Sequence, residues 1–173
     1  TPDLRRWINH EGSLTTRLRA ACSGRLTVTV LVQRRTCPCV DERAILGLRH
    51  NEHAFVRMVR LSCAGEPWVF ARTVIPLTTL SGPRRRLTRL GTRPLGEVLF
   101  SDPQMRREPI QVACLHPGQR LYDWATHGLA RAPSKIWARR ALFRLSGYPL
   151  LVCEAFLPAL CCQDVLTALG EAM

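Results

Sequence analysis

Two pairs of strand-forming runs, each folded back at a glycine, commit this chain to an antiparallel sheet. Ala54 to Ala64 and Pro67 to Pro76 flank the turn Ala64-Gly65-Glu66, and Ile136 to Leu145 and Tyr148 to Leu157 flank Ser146-Gly147. Leu26-Thr-Val-Thr-Val-Leu-Val32 is aliphatic or β-branched throughout and adds a strand; Met105 to Cys114 adds a sixth. Leu4, Trp7, Ile8, Leu14 and Leu18 recur at helical spacing with a break at Gly12-Ser13, which predicts a helix, a break and a second helix. Short helical pieces are expected from Arg84 to Phe100 around Gly91 and Pro94, a helix near Arg120 to Leu129, and another after Pro158 through Leu160, Val165 and Leu169. Arg34 to His53 shows no clear period and reads as a loop with one helical turn. The expectation is an α+β fold: a single domain over 1–173 with one six-stranded antiparallel sheet.

At 173 residues and 46% hydrophobic, the chain can bury a sizeable core without staples. It contains no apolar run of 18 residues and no signal-type apolar segment, so a soluble protein without stable membrane insertion is predicted. The formal charge of +12 is almost wholly arginine, since Lys135 is the only lysine. Such a field concentrates anions, either a small carboxylate metabolite or a nucleic acid; alternatively it reflects the base composition of the genome. With only 6% aromatic residues there is little to stack bases on, which argues against an RNA-binding module. The eight cysteines are expected as free thiols: Cys37-Pro-Cys39 and Cys161-Cys162 lack zinc-ligand spacing, and the five histidines form no HExxH. No metal and no cofactor is expected, because no dinucleotide glycine motif is present either.

Three of the strands carry a charge on an apolar face. Side chains alternate along a strand, so Arg57 shares a face with Phe55, Val59 and Leu61. Arg72 lies with Trp68, Phe70 and Val74, and Glu154 with Leu150, Val152 and Phe156. A buried ion needs an opposite charge, a dense set of hydrogen bonds or a ligand. Glu154 could pair with Arg57 or with Arg72; either way one arginine is left over, and its planar fork suits a carboxylate.

Gly65-Glu-Pro-Trp-Val-Phe-Ala-Arg-Thr-Val-Ile-Pro76, Thr79-Leu-Ser-Gly-Pro83 and Leu90-Gly-Thr-Arg-Pro-Leu-Gly96 closely resemble bacterial chorismate lyases. Trp137-Ala-Arg-Arg140, Arg144-Leu-Ser-Gly-Tyr-Pro-Leu-Leu-Val-Cys-Glu-Ala-Phe-Leu-Pro158 and the opening Trp7 to Arg19 extend the resemblance, in order, over nearly the whole chain. It implies a cytoplasmic monomer that splits chorismate into 4-hydroxybenzoate and pyruvate for ubiquinone biosynthesis, without a cofactor, under helical flaps that close a buried site. By the same resemblance Arg57 binds the ring carboxylate and Glu154 faces the ring hydroxyl, these two being the catalytic pair, while main-chain groups at Leu14 and Leu95 complete the site. Arg72 is a further candidate, for the enolpyruvyl carboxylate.

The chain departs from the family pattern in a long Leu115 to Pro133 segment, in Cys153 where a hydroxyl residue is common, and in Leu14 where Met is frequent. An aromatic product that keeps the ring carboxylate and hydroxyl should bind tightly, so product inhibition is expected, with opening at Gly12 and at Gly91 to Gly96. The alternative is a non-catalytic effector-binding domain of the related regulator fold, which senses its ligand and does not convert it.

Overall fold

The computed structural model describes residues 2–160; the helix expected beyond Leu160 falls outside them. Helices α1 (Pro2–Ile8) and α2 (Leu14–Ala21) open the chain, followed by β1 (Leu26–Thr36), α3 (Val40–Leu46) and the hairpin β2 (Ala54–Cys63) and β3 (Glu66–Pro76). Two 3-10 segments, Leu77–Leu80 and Gly82–Arg89, lead to α4 (Leu95–Phe100). Then come β4 (Met105–Arg107), β5 (Gln111–Leu115), α5 (Arg120–Thr126) and the hairpin β6 (Ile136–Leu145) and β7 (Tyr148–Phe156).

All pairings are antiparallel, in the order β1-β2-β3-β7-β6-β4, with β5 also paired to β6. The expected α+β fold and both hairpins are present, but the sheet has seven strands and not six. The run from Met105 to Cys114 is cut at Glu108-Pro109-Ile110, where Pro109 offers no amide to a ladder, and both halves pair with β6. The segment expected as loop is more ordered than its pattern suggested. β1 runs on to Thr36, and α3 follows, its start fixed by the Glu42 carboxylate accepting from the Cys39 amide at 2.8 Å.

One face of the sheet is covered by α3 and α5, which pack Leu46, Tyr122 and Ala125 on Val56, Phe70, Leu142 and Leu151. The other face carries two separate apolar clusters. At one end α1 and α2 place Trp7, Leu14 and Leu18 on Val59, Val69 and Phe156. At the other, the 3-10 segments and α4 place Leu87, Leu90 and Leu99 on Phe55, Ile75 and Phe143.

The expectation of free thiols fails for two cysteines. Cys22, at the C-terminal end of α2, and Cys63, at the end of β2, form a disulfide with their Cα atoms 5.7 Å apart. They are 41 residues apart in sequence, and the β1–β2 ladder brings them together, since Leu26, shortly after Cys22, is paired with Cys63. Cys37, Cys39, Cys114 and Cys153 are free. Cys153 is buried, which with the nearby charge of Glu42 pushes its thiol up to about 12, so it serves as an inert core residue.

Arg72 belongs to the α3/α5 face. It donates to Glu42 through Nε at 2.6 Å and through Nη2 at 2.8 Å, and its guanidinium lies 4.4 Å from the centre of the Trp124 ring. Burial acts against both charges, yet each outweighs it in the other: the Glu42 carboxyl is held below its usual range and the Arg72 guanidinium is raised. Glu42→Ala therefore leaves a buried cation unpaired and is expected to cost about 3–5 kcal/mol in urea unfolding, while Glu42→Leu combined with Arg72→Met recovers most of it. Because the folded Glu42 pKa is depressed, its contribution is complete above the ordinary glutamate value of about 4.3 and is lost as pH falls through the lower folded value. An unfolding free energy for Glu42→Ala within about 0.5 kcal/mol of the parent would contradict the assignment.

Candidate active site

Between the two apolar clusters, the open stretch of sheet is roofed by the N-terminal ends of α2 and α4. The result is a partly open cavity lined by Leu14 and Thr15 of α2, Leu95 and Leu99 of α4, and Arg57, Thr73, Val152, Glu154 and Arg139 of the sheet. The ladder explains why these sheet residues share a wall: Arg57 faces Thr73, Thr73 faces Val152, and Val152 faces Ala141, while Ala71, Glu154 and Arg139 make the next row. Arg57 and Glu154 are two strands and one row apart, roughly 12 Å between Cα positions at standard strand spacing and rise.

Arg57 is 2% exposed. Its Nη1 donates to Gln33 Oε1 at 2.7 Å, and its Nη2 donates to the carbonyls of Gly91 at 2.8 Å and Arg93 at 3.3 Å. All three acceptors are neutral, and among the described residues no carboxylate lies within ion-pair distance of it. Burial accordingly lowers its pKa. The turn that wraps this guanidinium needs a residue at positive φ, supplied by Gly91 at +55°. Arg57 thus holds the base of the α4 flap while its charge remains unmatched at the cavity wall.

Glu154 has its counter-ion, and it is neither of the two arginines expected. Arg139, one strand over on β6 and 5% exposed, donates from Nε to Glu154 Oε2 at 2.6 Å. Its Nη1 donates to the carbonyls of Trp7, Ile8 and His10, at 3.0, 3.0 and 2.8 Å. The end of α1 is thereby fixed to the carboxylate in the cavity. Arg139 shares its face with Trp137, Ala141 and Phe143, so the alternation that revealed Arg57 could have revealed it as well.

Leu14 and Leu95 are each the first residue of a helix, so each has a main-chain N–H with no acceptor inside its own helix. The two flaps meet directly. A Cβ on Gly96 would lie 3.2 Å from Ser13 Oγ and 3.5 Å from Thr15 Oγ1, and Arg19 of α2 is paired with Glu97 of α4 at 2.8 Å. Four of the five expected site residues, Leu14, Arg57, Leu95 and Glu154, therefore line one cavity. Arg72 does not: it faces the opposite side of the sheet, where Glu42 already neutralises it, and this corrects its candidacy as a ligand contact. Arg107, from β4, also lines the cavity and was not anticipated.

The sequence model of the chorismate lyase family matches residues 1–166. Curated relatives named probable chorismate pyruvate-lyase are 45% identical over 159 residues in Aromatoleum aromaticum and 45% over 161 residues in Azoarcus sp., in each case 91% of this chain and 85% of the relative. A relative of the same name from Methylococcus capsulatus is 41% identical over 153 residues, 88% of this chain and 93% of its own length. Among solved structures, PhnF from Mycobacterium smegmatis superposes with a TM-score of 0.63 at 13% identity, covering 87% of this chain and 66% of that one. The ligand-binding domain of a GntR-family transcriptional regulator from Bordetella bronchiseptica gives 0.56 at 17% identity, covering 78% and 84%. These two structures share the fold.

An unmatched buried guanidinium should respond to a carboxylate that can enter the cavity. Benzoate at about 100 times its Kd is expected to stabilise the protein by about 2.7 kcal/mol, raising Tm by roughly 5–10 °C at this chain length. Arg57→Met should abolish the shift. An equal benzoate shift in the variant, followed by differential scanning fluorimetry, would show that the anion is held elsewhere.

Proposed function

Since the chain belongs to the chorismate lyase family, we propose that it is a chorismate pyruvate-lyase, a cytoplasmic monomer that makes 4-hydroxybenzoate for ubiquinone without a metal or organic cofactor. The observation that carries the reading is Arg57, a buried cation without a carboxylate partner, set in the same cavity as the Glu154 carboxylate. Their separation suits a ring with a carboxylate at one end and a hydroxyl at the other. Arg57 binds the ring carboxylate, aided by the main-chain N–H groups of Leu14 and Leu95, and Glu154 accepts a hydrogen bond from the ring hydroxyl. Arg139 supports that carboxylate from behind and fixes its orientation.

The reaction is a redox-neutral elimination. The proton on the hydroxyl-bearing carbon is lost, its C–H electrons form the last ring double bond, and the neighbouring C–O bond breaks toward the enolpyruvyl oxygen. The released enolpyruvate takes up a proton at its methylene carbon and becomes pyruvate. Aromatisation drives the step, and the protein contributes orientation and a water-excluding roof. Among the described residues no helix is long and apolar enough to cross a membrane. A second reading, a ligand-sensing domain like that of the GntR-family regulators, is favoured by the shared fold alone.

Incubation with chorismate should release one pyruvate per 4-hydroxybenzoate, and Arg57→Ala should lower kcat/KM by about 100-fold or more through loss of a charge-assisted contact. A well-folded parent protein that binds chorismate and releases no pyruvate would favour the sensing role. Because the flaps enclose the product as they enclose the substrate, the first turnover should outpace later ones, and 4-hydroxybenzoate should inhibit competitively. Arg19→Ala, which removes the link to Glu97, should speed steady-state cycling without changing the single-turnover rate; equal rates in both regimes for the parent protein would mean that chemistry is limiting.

A further inference from the structure

Of the four arginines that line the cavity, Arg57 and Arg139 are already part of the site and Arg140 is bonded to Asp41 and Gln111, which leaves Arg107. It pairs with Phe143 across the β4–β6 ladder, which puts it on the cavity face of the sheet. It lines the cavity and also the outer cleft formed with Asn9, Glu11, Glu108, Pro109 and Ile110, so it stands at the rim between the two. Among the described residues its guanidinium has no hydrogen bond and no ion pair. Partial burial and the charge of Arg139 lower its pKa, with Glu11 and Glu154 opposing from beyond bonding distance. A guanidinium in such a place is poised for an anion.

The charge balance of the cavity face indicates what kind of anion. Arg57, Arg107 and Arg139 stand against the single carboxylate of Glu154, which leaves two positive charges uncompensated. Arg140 does not add to them, because its guanidinium is bonded to Asp41 and Gln111 and it faces the other side of the sheet. Two excess positive charges complement a dicarboxylate. Arg57 on β2 and Arg107 on β4 are separated by β3, β7 and β6, about 19 Å along the sheet at standard spacing, so the two long side chains flank a ligand between them. Chorismate carries one carboxylate on the ring and a second on its ether-linked side chain; 4-hydroxybenzoate keeps only the first.

We propose that Arg107 binds the enolpyruvyl carboxylate and is the residue by which the cavity distinguishes the dicarboxylate substrate from its monocarboxylate aromatic product. The proposal rests on the reading of the protein as a chorismate pyruvate-lyase. It fills the role for which Arg72 was considered, from the correct side of the sheet.

Two stable ligands test it by calorimetry: 4-hydroxybenzoate, and 3-(carboxymethoxy)benzoate, which has a ring carboxylate and a second one on an ether at the neighbouring meta position. Arg107→Gln should weaken the dicarboxylate about 10- to 100-fold, the worth of a charged hydrogen-bonded contact, and raise the KM for chorismate in step. Binding of 4-hydroxybenzoate should stay within about twofold and Tm should be unchanged, while Arg107→Lys should recover part of the loss. Unchanged affinity for the dicarboxylate, or an equal loss for both ligands, would overturn the assignment. Absence of pyruvate release by the parent protein is a separate outcome, which overturns the underlying reading whatever Arg107 does.

Discussion

The architecture turns on two apolar clusters that share a sheet face without meeting. Had the α1/α2 cluster and the α4 cluster merged, the face would be an ordinary core and its charges intolerable. Because they stop short of each other, a strip of sheet one residue row wide on either side of Thr73 and Ala71 is covered only by helix ends. Helix N-termini bring main-chain donors and partial positive charge where apolar side chains would otherwise lie. That positive end suits the Glu154 carboxylate, whose side chain is 20% exposed, while Arg57 and Arg139 are held at low exposure by main-chain carbonyls, those of Gly91 and Arg93 and those of Trp7, Ile8 and His10.

The same sheet shows that burial does not decide what an arginine does. Arg57 and Arg72 occupy adjacent strands and are buried to within one per cent of each other, at 2% and 3% exposed. Arg72 meets a carboxylate in a two-point contact and an aromatic ring, so its charge is consumed by the core. Arg57 meets only neutral oxygens, which orient the guanidinium without cancelling it. Orientation without neutralisation is what a binding group requires, and it weakens the folded state in the absence of ligand.

Both hairpins and the faces of Arg57, Arg72 and Glu154 were legible in the sequence because period-two alternation is a local signal. What escaped was set by contacts between distant segments. Glu42 sits in a stretch without a recognisable period, on a helix of only seven residues, so nothing local marked it as the partner of Arg72. The Cys22–Cys63 pair depends on the pairing of β1 with β2, and the split of β4 from β5 on a single proline. Arg139 and Arg140 are adjacent and point to opposite faces, and the alternation with Ala141 and Phe143 marks Arg139 as the one on the cavity side. Arg107 sits in a strand of three residues, where Met105 alone is apolar and no alternation is long enough to make a charge conspicuous. Leu14 and Leu95 contribute backbone rather than side chains, and only the family resemblance could single them out.

The disulfide gives α2 a mechanical asymmetry. Its last turn is bonded covalently to the sheet through Cys63, while its first residue lies over the cavity. Eight residues of helix make an arm of about 12 Å. A tilt of roughly 15° about that fixed fulcrum sweeps the Leu14 end through about 3 Å, the span of one hydrogen bond. About that covalent pivot displacement grows along the arm, so it is greatest at the end where the cavity lies, and Leu18, midway, moves about half as far.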